Sequence, residues 1–131
     1  MLLINLLLFF TRADKCPSSD SIIAFTDETI AGGNTYRYVG CHSLGNLELD
    51  FTAVTAKKVV PKYLFNDAYI NTLVIGTDVV EIQEKAFYDC QIGSINLNSL
   101  TSLTNIGNMA FYQVRPKSGN SLSITFPTSL K

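Results

Sequence analysis

The chain has no tryptophan, a single histidine and few charges, 16% of its residues, which sum to a net charge of -1. No basic cluster extends beyond Lys57-Lys58, so the basic footprint that nucleic-acid binding requires is missing. The motifs of common chemistries are missing too: no GxGxxG, no GxxxxGK[ST], no HExxH, no paired CxxC, and no N-x-[ST] sequon. His42 directly follows Cys41, and neighbours in sequence rarely hold a nucleophile and its base within reach of each other. Acidic residues are scattered. Glu48 and Asp50 share a strand face, but Ca²⁺ takes about six to eight oxygens, so a solvated strand is expected there rather than a metal site. No catalytic residue, cofactor or metal is expected.

A membrane-length hydrophobic run is also lacking. The longest, MLLINLLLFF at residues 1–10, is half of the roughly 20 residues a spanning helix needs. It fits the apolar core of a secretory signal, with Thr11 and Ala13 as small residues at a cleavage site, although no basic residue precedes it. The alternative is a buried strand or helix at the N-terminus. With a signal removed at residues 1–13, the loss of Arg12 takes the net charge from -1 to -2. The rest, within 131 residues that are 47% apolar, suffices for one folded domain with a modest core.

What the chain does have is repetition. Ile82-Gln83-Glu84-Lys85-Ala86-Phe87-Tyr88 returns as Ile106-Gly107-Asn108-Met109-Ala110-Phe111-Tyr112, 24 positions on. A third copy, Val60-Pro61-Lys62-Tyr63-Leu64-Phe65-Asn66, lies upstream, with Phe65 22 positions before Phe87. Short alternating segments go with them: Leu47-Glu48-Leu49-Asp50-Phe51, then Leu73-x-Ile75, Ile95-x-Leu97 and Ile124-x-Phe126. A period in the twenties with one strand-like pair and one aromatic knob per unit is a solenoid signature. Alternation sends Leu49/Phe51, Leu73/Ile75, Ile95/Leu97 and Ile124/Phe126 inward. Phe65, Phe87 and Phe111 are expected to stack as a core column rather than as a ligand platform, with Ala86 and Ala110 small where the backbones approach. The knob segments are short enough to be helical turns, 3₁₀ turns or extended. Residues 115–120 hold extra residues and are expected to bulge.

These units resemble the BspA-like leucine-rich repeats, whose pattern runs roughly Leu-x-x-Ile-x-Leu-Pro-x-x-Leu-x-x-Ile-Gly-x-x-Ala-Phe-x-x-Cys. Leu73 to Cys90 follows it, with Gly76 where proline is usual and Gln83 where glycine is usual. The next unit keeps Ile106-Gly107 and Ala110-Phe111 but has two extra residues between Leu97 and Ile106, and Val114 in place of cysteine. The last shows Phe126-Pro127 and Leu130. The resemblance spans residues 47–131 and implies an α/β fold: a short right-handed leucine-rich-repeat solenoid, parallel strands on the concave side and short helical or irregular returns. Residues 14–46 do not obey the repeat. Ser21 to Thr26 reads as a strand, and Thr29–Ala31 and Thr35–Val39 flank a turn at Gly32-Gly33-Asn34. The segment is expected to be a β-rich N-terminal cap, since an array exposes the apolar end of its first unit.

Three cysteines leave one over. Cys90 shares its place after the knob with Ala68 and Val114, a small buried position. Cys16 and Cys41 remain as a candidate pair for an exported protein. The remaining surface is the outward side of the concave sheet. Aligned by strand, Glu48, Thr72, Ser94 and Ser123 form one column, and Asp50, Val74, Asn96 and Thr125 a second. Asn98 stands in a third with Thr52, Gly76 and Pro127. Tyr88 and Tyr112 form a rival convex surface. The expected function is non-enzymatic binding at or outside the cell surface. The resemblance implies adhesion or host and neighbour contact, with a protein or glycan on another cell or matrix as partner. The alternative is a structural N-terminal capping piece of a longer array whose ligand site lies downstream. Nothing in the sequence bears on oligomeric state.

Overall fold

The computed structural model describes residues 16–17, 20–31, 37–117, 119 and 121–130. The signal expected at residues 1–13 and the Gly32-Gly33-Asn34 turn lie outside the described residues. The main sheet is built of β1 (Ser21–Thr26), β2 (Leu44–Ala53), β4 (Tyr69–Ile75), β6 (Gln91–Ile95) and β8 (Arg115–Pro116). All pair in parallel, in the order β1-β2-β4-β6-β8. Consecutive strands that run parallel oblige the chain to return outside the sheet each time, and four such returns make four coils. The returns carry a second, three-stranded parallel sheet of β3 (Val59–Val60), β5 (Glu81–Ile82) and β7 (Asn105–Ile106). The architecture is a short leucine-rich-repeat solenoid with almost no helix.

The knob segments are neither helical nor extended. Three i→i+3 turns follow one another in each: in the third coil Ala86, Tyr88 and Cys90 donate their N–H groups to the carbonyls of Gln83, Lys85 and Phe87. The intervening N–H groups point the other way. Lys85, Phe87 and Asp89 donate to the carbonyls of Asn108, Ala110 and Tyr112 in the next coil, at 2.8–3.0 Å. Tyr63, Phe65 and Asp67 do the same to Glu84, Ala86 and Tyr88. Serving the local turn and the next coil alternately requires left-handed backbone at two residues per knob. Tyr63 and Asp67, Lys85 and Asp89, and Met109 and Gln113 all have φ between 53° and 59°.

This ladder holds the rings in register. Phe65 stacks on Phe87 at 5.5 Å and Phe87 on Phe111 at 5.1 Å, with planes within 12° of parallel. Tyr38 begins the column, 5.5 Å from Phe65, and its N–H donates to the carbonyl of Leu64 as Phe65 does to Ala86. Cys41 therefore occupies the same place in its coil as Ala68, Cys90 and Val114. It is bridged to Cys16, while Cys90 is free and buried, donating to the Phe65 carbonyl at 2.7 Å. Burial pushes the Cys90 thiol up to about 12.

Three expectations are corrected. Thr29–Ala31 is not a hairpin arm but part of α1 (Asp27–Ala31). Thr26 and Thr29 cap that helix reciprocally, the N–H of each bonding the hydroxyl of the other at 2.8 and 3.2 Å, as in a capping box. Ser21–Thr26 does form a strand, and it is the parallel edge strand of the same sheet, Ile22 opposite Glu48. The second correction is the register of β2: Leu47 and Leu49, not Leu49 and Phe51, stand opposite Leu73 and Ile75. Both alignments put the same face inward, because side chains alternate with period two. Phe51 lies past the last pair with β4 and stacks on Phe25, centroids 4.5 Å apart.

The third correction concerns the last unit. β4, β6 and β8 each begin four residues after their knob ring, at Tyr69, Gln91 and Arg115, so the chain rejoins the sheet at Arg115 opposite Gln91. Residues 121–127 form no strand, and Ser123 and Thr125 are outside the ladder. Arg115 and Lys117 donate to Cys90 and Ile92, which turns Pro116, lacking an N–H, towards the open edge where no donor is needed. Beyond it Pro127 is buried, and the Ser129 hydroxyl donates to the Leu103 carbonyl at 2.7 Å. Phe126 meets Phe111 edge-on at 6.1 Å.

Phe87 is fully buried, whereas Tyr88 is partly exposed and stacks on Tyr112 at 5.6 Å. Phe87→Ala is expected to cost about 3–5 kcal/mol, and Tyr88→Ala about 1 kcal/mol, read as shifted midpoints in denaturant. Equal losses would mean that the ring column is misplaced. Alkylation of the native protein should leave Cys90 unmodified while mapped peptides show Cys16 linked to Cys41; rapid Cys90 labelling would contradict its place in the core.

Candidate binding surface

The outward face of the five-stranded sheet is built by a break in alternation that recurs in β2, β4 and β6. Leu44 and Leu47, Ile70 and Leu73, and Ile92 and Ile95 are all buried with two residues between them instead of one. Gly45-Asn46, Asn71-Thr72 and Gly93-Ser94 consequently all lie on the outer side. Asn46 Oδ1 accepts from Asn71 Nδ2 at 2.9 Å and from Thr72 Oγ1 at 2.7 Å, tying β2 to β4. Gly93 is required by close approach, because a Cβ there would stand 2.4 Å from the Asn71 carbonyl oxygen. Its bare surface lies between Asn71 and Lys117, whose Nζ crosses the gap to Asn71 Oδ1 at 3.2 Å.

The cross-strand register sets two rows on this face. Asn46, Thr72 and Ser94 stand opposite one another, and so do Ile22, Glu48 and Val74. Asn96 follows just beyond the end of β6. Glu48 is thus beside Val74, not Thr72, two residues from the column expected from sequence. Asn96 and Asn98 are exposed as expected from alternation, and Asn96 Oδ1 accepts the Asn98 N–H at 2.9 Å. Asp50 has a similar use: the Thr52 N–H beside it, at 2.9 Å, holds its carboxyl below the usual carboxylate range. Asp20, not among the expected residues, accepts the Asn46 N–H at 2.9 Å and is lowered by that bond. An open hollow of about 560 Å³ runs along this part of the face, lined by Asp20, Ile22, Asn46, Glu48, Thr72 and Val74.

At the corner where knob turns meet the sheet, His42 stacks on Tyr69, centroids 4.0 Å apart. Its Nε2 lies 3.0 Å from the Asp67 carbonyl and 3.3 Å from its carboxylate. Cys41 beside it is in a disulfide, so no thiol stands next to this imidazole. Among the described residues no three metal-ligating side chains gather, and no helix is long and apolar enough to cross a membrane. The rival tyrosine surface has its own partners, with Lys85 Nζ 5.6 Å from the rings of both Tyr63 and Tyr88.

Two features of this site escaped sequence reasoning. Tyr38 is the first ring of the column, and the signal was its spacing: Tyr38 precedes Cys41 by three residues, as Phe87 precedes Cys90. The doubled outward residues were visible as Leu44-x-x-Leu47, Ile70-x-x-Leu73 and Ile92-x-x-Ile95, a gap of three at the same place in each unit.

Residues 58–131 match the family model of a BspA-type leucine-rich repeat region. The chain belongs to this family. No curated protein and no solved structure matches it. BspA-type repeats form a protein-binding repeat family, so the coarse function is that of a repeat binding module. Two family positions acquire physical reasons here. The glycine of the Ile106-Gly107 pair lies against the preceding coil, where a Cβ would come within 2.5 Å of the Glu84 nitrogen. Gly76, at a place the family usually gives to proline, donates its N–H to the Leu49 carbonyl at 3.2 Å, a bond that proline has no hydrogen to make.

Gly93→Ala is expected to lower stability by about 2 kcal/mol or more, because the neighbouring strand must move to relieve the contact. Gly45→Ala, at the equivalent place in β2, serves as the comparison. A thermal melt unchanged by Gly93→Ala would contradict the close approach of β4 and β6.

Proposed function

We propose that this BspA-type module is exported and binds a partner through the outward face of its five-stranded sheet, as an adhesion or cell-contact element. The observation that carries the reading is the face itself. Its positions are filled mainly by small polar and acidic groups, Asn46, Glu48, Thr72, Ser94, Asn96 and Asn98, while the opposite side of each strand is committed to the core. Such groups meet a macromolecule through many weak polar contacts. Export is supported by the apolar run at residues 1–10 and by the Cys16–Cys41 bridge, since structural disulfides persist in oxidising compartments. The partner class is a protein or a glycan on another cell or on matrix.

Ser94→Lys with Asn98→Lys tests the face. Both side chains are exposed, so the fold is left intact and two charges enter the middle of the polar surface. Asn96 is spared because its side chain holds the Asn98 N–H. The melting temperature is expected to hold within a few degrees while most binding is lost in a cell- or glycan-adhesion assay. Tyr88→Ala with Tyr112→Ala is the control on the knob turns. Loss of binding in the tyrosine pair alone would move the site to that side. Indifference to both pairs would leave these coils as a cap for a site elsewhere.

A further inference from the structure

The row Ile22–Glu48–Val74 is the least expected part of the face. Ile22 is 67% exposed and Val74 57%, two of the five large hydrophobic side chains that stand out among the described residues. They are directly opposite Glu48 on either side, about 4.8 Å away in neighbouring strands. Glu48 itself is exposed, and its carboxylate has no hydrogen bond or ion pair among the described residues. The cations of the nearby coils are engaged elsewhere: Lys57 with Glu81, Lys58 with Asp78, Arg115 with Asp89 and Lys117 with Asn71. A carboxylate flanked by two bare aliphatic groups therefore has no counter-charge among the described residues.

We propose that Ile22, Glu48 and Val74 seat an arginine side chain presented by a partner polypeptide. The proposal rests on the sheet face being the binding surface, and it names what that face recognises. Arginine satisfies both halves of the row at once. Its methylene stem covers apolar surface while the head stays polar, so it lies across Ile22 or Val74, and its planar fork meets a carboxylate through two parallel bonds. Lysine brings a more strongly hydrated point charge without the fork. A neutral sugar brings no cation and would set hydroxyl groups against two aliphatic side chains. Asp20 and Asp50 lie to either side on the same face and extend its negative field, which favours a basic partner and speeds encounter. The hollow along the row is open rather than enclosed, which suits side chains of an extended segment and not a buried small molecule.

The test is selection of a random dodecapeptide library, displayed on phage, against the whole chain, followed by affinity measurements on synthetic copies of the enriched peptides. Enriched peptides are expected to carry arginine with a valine, leucine or isoleucine within two residues of it. Glu48→Gln should weaken them between about fivefold and tenfold, and Val74→Thr, which keeps the shape, by a smaller factor. Arginine-to-lysine replacement in the peptide should weaken binding on the native chain and not on Glu48→Gln. Raising NaCl from about 0.1 to about 0.5 M should weaken it as well. Peptides that respond to Ser94→Lys with Asn98→Lys, yet lack arginine and ignore Glu48→Gln, would overturn the arginine seat and leave the sheet-face reading standing. No enrichment at all would overturn the arginine seat alone, and peptides indifferent to every substitution on the face would overturn both.

Discussion

Everything in this solenoid depends on alternate N–H groups of each knob turn reaching carbonyls in the next coil. A backbone that must serve its own turn and its neighbour alternately has to visit the left-handed region twice per knob. The Tyr38 knob uses Gly40 at one of these places, but the phenylalanine knobs use tyrosine, aspartate, lysine, methionine and glutamine. Each such residue costs about 1 kcal/mol or more, and the cost is sustained only because bonds and packing over-determine the geometry. The ring column follows from it. Phe65, Phe87 and Phe111 stack because the N–H groups of Phe65 and Phe87 reach the carbonyls of Ala86 and Ala110, each just before the next ring. Coil length is free to vary elsewhere: Tyr38 to Phe65 is 27 residues, Phe65 to Phe87 is 22 and Phe87 to Phe111 is 24. The difference is taken up between strand and knob, as at residues 97–104, where Leu100 and Leu103 are buried in the added turn.

The parts of this architecture legible in the sequence were those that repeat. The period, the inward strand pairs of the second and third units and the phenylalanine column were read from spacing alone, because identical environments demand similar residues. Where the chain departs from repetition, local chemistry decided the outcome. Thr26 and Thr29 cap a helix that a glycine-rich turn nearby had suggested would be a hairpin. The register of β2 was ambiguous because Leu47, Leu49 and Phe51 offer two alignments on one face, and only the stacking of Phe51 on Phe25 selects between them. The final strand was misplaced because Ile124 and Phe126 alternate well. The ladder resumes instead as soon as the knob releases the chain, at Arg115, whose polar side chain gave no apolar signal.

The outward face proposed for binding was legible in part. Alternation places Asn96 and Asn98 outward, but the doubled outward residues shift their neighbours, so one row sets Glu48 beside Val74 and brings in Ile22 from β1. That strand is an edge of the sheet and a contributor to the surface at once. Stacking coils at strand spacing converts a one-dimensional repeat into columns of side chains. Conserving the inward columns for packing leaves the outward ones free to differ from coil to coil, which is how an isoleucine, a glutamate and a valine come to lie side by side.

Hydrogen exchange at the knob amides tests the central claim most directly. The N–H groups of Phe65 and Phe87, which bond between coils, should exchange only through global opening. Those of Met109, Phe111 and Gln113, which have no acceptor among the described residues, should exchange orders of magnitude faster although Phe111 is partly buried. That sharp step between equivalent positions is what stacking by alternate bonds predicts. Equal protection at Phe87 and Phe111, or rapid exchange at both, would contradict it.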